Sequence, residues 1–150
     1  MNELLFMNEG VVDVPPNFRD LSVQVLEWRR DDGSAIGLTV QREELPEGTD
    51  LETYVRKAIS EYYRELPSFR IDARRPVEGA LTPAVFLSYR WHGEQGVVCQ
   101  AQGFTQIGRK LLLFTTTTAP ESRSEAEGLL LQALSNVRLR GSVPPPRAAG

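Results

Sequence analysis

Residues 83–118 constrain this chain more than any other stretch. Three apolar-rich runs, 84–91, 97–106 and 111–117, are separated by short polar breaks at 92–96 and 107–110. β-branched and aromatic residues fill the runs and glycine sits at the breaks, which is how strands joined by tight turns read. Connections this short leave no room for the crossover that a parallel pair requires. The stretch predicts a three-stranded antiparallel meander on which everything else must pack or which it must extend.

Upstream, residues 4–7 and 10–14 read as two short strands about an Asn8-Glu9 turn, the second ended by Pro15 and Pro16, which cannot donate to a ladder. Residues 17–21 read as a turn or a single helical turn. A strand follows at 23–30, with Val23 and Val25 on one face and Leu26 and Trp28 on the other. Asp31-Asp32-Gly33-Ser34 marks a hairpin, and 35–42 returns with Ile36, Leu38 and Val40 on one face.

The clearest helix begins where Thr49 and Glu52 have capping-box spacing. Leu51, Tyr54, Val55, Ala58, Ile59, Tyr62 and Leu66 then form one stripe at a period near 3.6, and Pro67 stops it. Residues 68–73 predict a strand and 74–79 a polar connection into the meander. Ser122 and Glu125 repeat the capping spacing ahead of a second helix over about 123–136. The expected fold is α+β, a twisted antiparallel sheet with two main helices, in a single domain over 1–140. Residues 141–150, with Pro144-Pro145-Pro146, form a flexible tail with little to bury.

The 150 residues, 41% hydrophobic and 25% charged, suffice for a core without disulfide or metal. A net charge of -3 offers no general attraction to nucleic acid, and the basic pairs Arg29-Arg30 and Arg74-Arg75 read as solvated faces. The first nine residues lack the basic flank and apolar length of a signal peptide, and no run reaches transmembrane length, so the expectation is a cytoplasmic protein without stable membrane insertion.

An enzyme needs a constellation of groups, and the chain supplies none that stands out. His92 is the only histidine and sits in a turn, where an exposed polar residue explains it better than a general base. Cys99 is the only cysteine, lies inside an apolar strand, and has no second histidine to activate it. One His and one Cys do not make a zinc site, and the glycines form no phosphate-binding loop. The chain reads as a non-enzyme without cofactor or metal.

Binding surface is the better prospect. Val98, Gln100, Gln102 and Phe104 share one strand face, half apolar and half amide. A closed core rarely takes two glutamines, because each amide must find a partner. Two readings stand on the residues alone: a groove that holds another protein's helix, or a solvated sheet face. Tyr62 and Tyr63 are adjacent on the helix, about a hundred degrees apart, so both cannot point to the same place, and at least one is expected to face a partner or a second subunit.

In its order of motifs the chain resembles the DcrB-like group and, within it, the Eag-type chaperones of type VI secretion effectors. The resemblance rests on Val11-Val12-Asp13-Val14-Pro15, Asp20-Leu21-Ser22-Val23-Gln24-Val25, Tyr54-Val55, Glu65-Leu66-Pro67-Ser68-Phe69, Tyr89-Arg90-Trp91, Gln102 and Leu113-Phe114-Thr115-Thr116-Thr117. It implies a Mog1/PsbP-like fold and a homodimer. The implied role is to shield N-terminal transmembrane segments of PAAR- or Rhs-type effectors in the cytoplasm and to aid their loading onto the secretion spike. The groove it implies is made by Val23 and Val25, by Ala58, Tyr62 and Leu66, and by Val98 and Gln102. Ala58 stands where some relatives have an amide, and Tyr62 where some have a small residue. The alternative on the same fold is a non-catalytic binding or assembly module for a soluble partner.

Overall fold

The computed structural model describes residues 3–7, 10–17 and 23–138. The segment read from sequence as a turn at 17–21 and the tail at 141–150 fall, all but Asn17, outside them. Strands β1 (Glu3–Met7) and β2 (Gly10–Val14) pair with each other in a two-stranded antiparallel sheet. The main sheet has six strands, β3 (Val23–Arg29), β4 (Ala35–Glu44), β5 (Arg70–Pro76), β6 (Ala84–Gly93), β7 (Gly96–Ile107) and β8 (Lys110–Thr118). Their order across the sheet is β3-β4-β8-β7-β6-β5, every pair antiparallel.

The meander is present as the sequence demanded. Gly93 pairs with Gly96 around a two-residue loop, and Ile107 pairs with Lys110 around Gly108-Arg109. Gly108 holds φ +61 at the first loop position, a conformation that a side chain would oppose. At the β3–β4 hairpin Gly33 takes φ +88, while Asp32 accepts hydrogen bonds from the backbone N–H and the hydroxyl of Ser34.

Helix α1 (Leu51–Glu65) lies on one face of the sheet and α2 (Arg123–Ser135) on the other. Under α1, Val55 and Ile59 pack with Leu87, Tyr89, Phe104, Leu111 and Leu113. Under α2, Leu130 and Leu134 pack with Val40, Phe86, Ala101 and Phe114. Gly103 lets α2 approach: a Cβ there would stand 2.7 Å from Cγ of the fully buried Leu134.

Three local expectations are corrected. Asp50, not Thr49, caps α1: the helix begins at Leu51, one residue later than a Thr49–Glu52 box requires, and the Asp50 carboxylate accepts the Thr53 N–H at 2.8 Å. Ser122 does precede α2 but caps nothing, because a short 3-10 turn (Pro120–Ser122) leads in and the Ser122 hydroxyl accepts from Arg30 at 3.1 Å. Residues 74–76 belong to β5 rather than to a connection, and β5 starts only at Arg70 because Ser68 takes φ +55.

Candidate functional site

Strand alternation decides which side chains meet on the α1 face. The register runs Leu87–Gln102–Thr115–Thr39–Val25 across β6, β7, β8, β4 and β3. The adjacent row runs Val85–Phe104–Leu113–Gln41–Val23. Both rows begin buried beneath α1 and end bare. Leu87 and Phe104 have no exposure, whereas Val23 is 45% and Val25 71% exposed. Helix α1 thus roofs the β6–β7–β8 side and leaves the β4–β3 side open, giving a step with α1 as its wall.

The wall is built from the α1 stripe. Leu51, Val55 and Ile59 point into the core, and Tyr54, Ala58, Tyr62 and Leu66 are half-buried along the flank. Tyr62 donates its hydroxyl to Gln102 Oε1 at 2.8 Å, and its ring lies 5.1 Å from that of Tyr89 and 5.8 Å from that of Phe69. Tyr89 donates in turn to Gln100 Oε1, and Gln100 Nε2 donates to the Thr117 hydroxyl at 2.9 Å. These bonds answer why two amides sit among apolar residues. Each carbonyl oxygen accepts a hydrogen bond from a tyrosine hydroxyl, and the Gln102 amide nitrogen has no side-chain partner among the described residues.

Burial raises the titration of the Tyr62, Tyr54 and Tyr89 hydroxyls, and the Glu43 carboxylate beside Tyr54 adds to it there. All three stay neutral donors. Tyr54 donates to Glu43, and the two form, with Lys57, Ala58 and Glu61, a polar recess of ≈ 280 Å³ at the outer edge of the wall.

All seven sequence-derived groove residues lie on this side of the sheet or on its helix, but not equally open. Val23 and Val25 are exposed on β3, while Ala58, Tyr62, Leu66 and Val98 are half-buried. Gln102 is 5% exposed and sits at the foot of the wall. Leu66 caps the helix end and packs into the core beneath α1. Val98 pairs with Trp91, farther along the sheet than the two rows containing Val23 and Val25. The face also carries Thr39, Gln41, Thr115 and Thr117, which the sequence reading did not assign to the groove. The alternation of 115–118 split these threonines by face, but nothing local placed β4 beside β8. Tyr63, 60% exposed, is the tyrosine that points away from the sheet, edge-on to Phe69 at 4.7 Å.

Other candidates fall away on geometry. Cys99 is buried, and burial pushes its thiol up in pKa although Arg123 and Arg90 oppose this. His92 is exposed at the end of β6, its backbone N–H bonded to the Pro67 carbonyl at 2.9 Å. Among the described residues no three His, Cys, Asp or Glu side chains converge as a metal site, and no helix is long and apolar enough to cross a membrane.

The DcrB family model matches residues 9–136, most of the chain. The chain belongs to the DcrB family. No curated protein matches it. Among solved structures, this DcrB-family chain is similar to PA94 of Pseudomonas aeruginosa, described as a protein of unknown function and candidate regulator. The TM-score is 0.74 at 21% identity, over 97% of this chain and 99% of that one. It is also similar to LpqN of Mycobacterium tuberculosis, described as involved in cell envelope biogenesis, with TM-score 0.55 and 13% identity over 75% and 79%. Cyanobacterial PsbP from Synechocystis gives 0.49 at 13% identity over 81% and 94%. At these identities the likeness is one of fold, a mixed α+β arrangement of an antiparallel sheet and two helices.

Proposed function

We propose that this DcrB-family protein is a non-catalytic binding module whose α1-side step receives apolar helices of another protein. More specifically, it acts as a cytoplasmic chaperone and adaptor for N-terminal transmembrane segments of a type VI secretion effector. The observation that supports this most directly is the bare end of the two rows, where Val23 and Val25 sit in water beside a threonine- and glutamine-lined floor. Exposed valines supply area that a greasy helix would cover, at roughly 25 cal/mol per Å². The floor hydroxyls and the Gln102 amide supply hydrogen bonds to the small-residue faces of such a helix, where its backbone comes close. One copy leaves the step open on the β3 side, so a second copy of the chain would supply the opposite wall.

The test is co-expression of the full chain with the N-terminal region of a PAAR- or Rhs-type effector, intact or with its apolar segments deleted. Capture of the intact region alone, by a chain that sediments as a dimer, is the expected result. Equal capture of the deleted form would sink the reading. That outcome would favour the second one, an assembly module for a soluble partner, which the charged recess at Glu43, Lys57 and Glu61 favours.

A further inference from the structure

The β1–β2 hairpin stands apart from the rest of the chain. Its strands pair with each other and with no strand of the main sheet. Among the described residues it packs broadly on no other strand or helix, and neither Val11 nor Val14 joins a core cluster. Its sequence does not suit that isolation. The strands read Glu-Leu-Leu-Phe-Met and Gly-Val-Val-Asp-Val, apolar at every place but Glu3, Gly10 and Asp13. Val11 is 53% exposed. A lone two-stranded ribbon is marginal in water and needs a third strand or a layer to pack on.

The main sheet offers what the hairpin lacks. Strand β3 is bonded to β4 on one side only, so its outer row of backbone N–H and C=O groups has no partner in the sheet. Val25 and Leu26 bring apolar side chains to that edge on opposite faces, both more exposed than buried. A free backbone row calls for a strand, and the chain carries two strands that need a sheet.

The tether decides whose edge is used. Residues 15–22 join β2 to β3, and at about 3.3 Å per residue they are long enough for β2 to return onto β3 of the same chain. The chain nevertheless keeps the two sheets separate. Pro15 and Pro16 fix their φ near about −65° and hold Val14 extended, so the hairpin runs out from its own body instead of doubling back. We propose that two copies of the chain exchange these hairpins, each laid as added strands along the β3 edge of the other. The inference rests on the second copy invoked under the proposed function and not on the client. Exchange covers both open edges by the same contact, so the assembly closes at two chains. Pairing along the edge uses the backbone of β3, which leaves Val23 and Val25 facing the step and makes the borrowed hairpin its opposite wall.

The full chain carrying both Val11→Cys and Val25→Cys, treated with a short bismaleimide, tests this; the native Cys99 is buried. The expected product on a denaturing gel is a covalent dimer. The same treatment of a Val11→Cys, Glu78→Cys chain, whose second thiol lies on the loop after β5 at the far edge, should give none. Val11→Asp should raise the dimer dissociation constant in sedimentation about tenfold, and leave the unfolding midpoint of the diluted monomer unchanged because Val11 joins no core. Linking within single chains would overturn the exchange in favour of a hairpin folded onto its own β3. A dimer as tight with Val11→Asp as without it, or a full chain that sediments as a monomer at high concentration, would also overturn it. None of these measurements contains an effector, so the exchange can fail while capture of apolar segments holds, and the reverse.

Discussion

The two edges of the main sheet are built on opposite plans. Strand β5 reads Arg-Ile-Asp-Ala-Arg-Arg-Pro, breaks register between Ile71 and Ala73, and ends in a proline. Asp72 faces α2 there, 3.0 Å from Arg90 and 3.2 Å from Arg123, and Arg74 pairs with Glu52 of α1. Only the Arg90 contact at Asp72 has hydrogen-bond geometry; the one to Arg123 is an ion pair by distance. Charge, bulge and proline are the devices by which edges refuse a further strand. Strand β3 has neither bulge nor proline, and its charges, Glu27 and Arg29, pair with each other at 2.9 Å. It is exposed throughout and presents Val23, Val25, Leu26 and Trp28 to water. One edge is closed and stapled to both helices, while the other is left open. Edge strands that keep apolar side chains on both faces mark where a partner is expected.

That contrast can be broken at several points. Gly103→Ala, under α2, forces Leu134 aside in a filled core and should cost about 3 kcal/mol in urea unfolding. A cost below about 0.5 kcal/mol would mean that the α2 packing is loose. Asp72→Ala leaves Arg90 and Arg123 without their shared carboxylate; both are part-exposed, so the loss should be about 1–2 kcal/mol. An unchanged unfolding midpoint would remove the staple from the closed edge.

Asp50→Ala tests the cap that holds the wall of the step. Its hydrogen bonds from Thr53 hold the Asp50 carboxyl below its ordinary value of 3.8. A lowered folded-state pKa gives stability that is present above the unfolded value and lost as pH falls through the folded one. The Tm gap between the two proteins should therefore be about 2 °C at neutral pH and close below pH 4. A gap that is constant with pH would rule out the charged cap.

Val25→Asp should cost least, within about 0.5 kcal/mol, because the side chain already lies mostly in water. Binding of an apolar helix should nevertheless fall about tenfold or more, since covering a valine is worth that much. Loss of folded protein in step with loss of binding would place Val25 in a core and erase the difference between the edges.

Much of this was legible in the chain. Period-2 alternation assigned Val23 and Val25 to one face and Leu26 and Trp28 to the other, and the meander followed from its short glycine turns. Caps were less legible, because Thr49, Asp50 and Ser122 can all cap and the choice turns on one residue of backbone geometry. The groove list named Tyr62 and Gln102 separately. That the hydroxyl of one satisfies the carbonyl of the other joins residues on different elements, and no spacing encodes it.

The sequence by itself determined the elements, their order and the face each side chain takes, since hydrophobic period and turn chemistry act over a few residues. Only the tertiary structure decided that β4 joins β8 and β5 joins β6, leaving β3 bare at one edge and β5 stapled at the other. The β4–β8 pairing links residues far apart in the chain, whereas β5 pairs with its chain neighbour; the long-range pairing is selected by how the whole sheet and its two helices bury their apolar faces together.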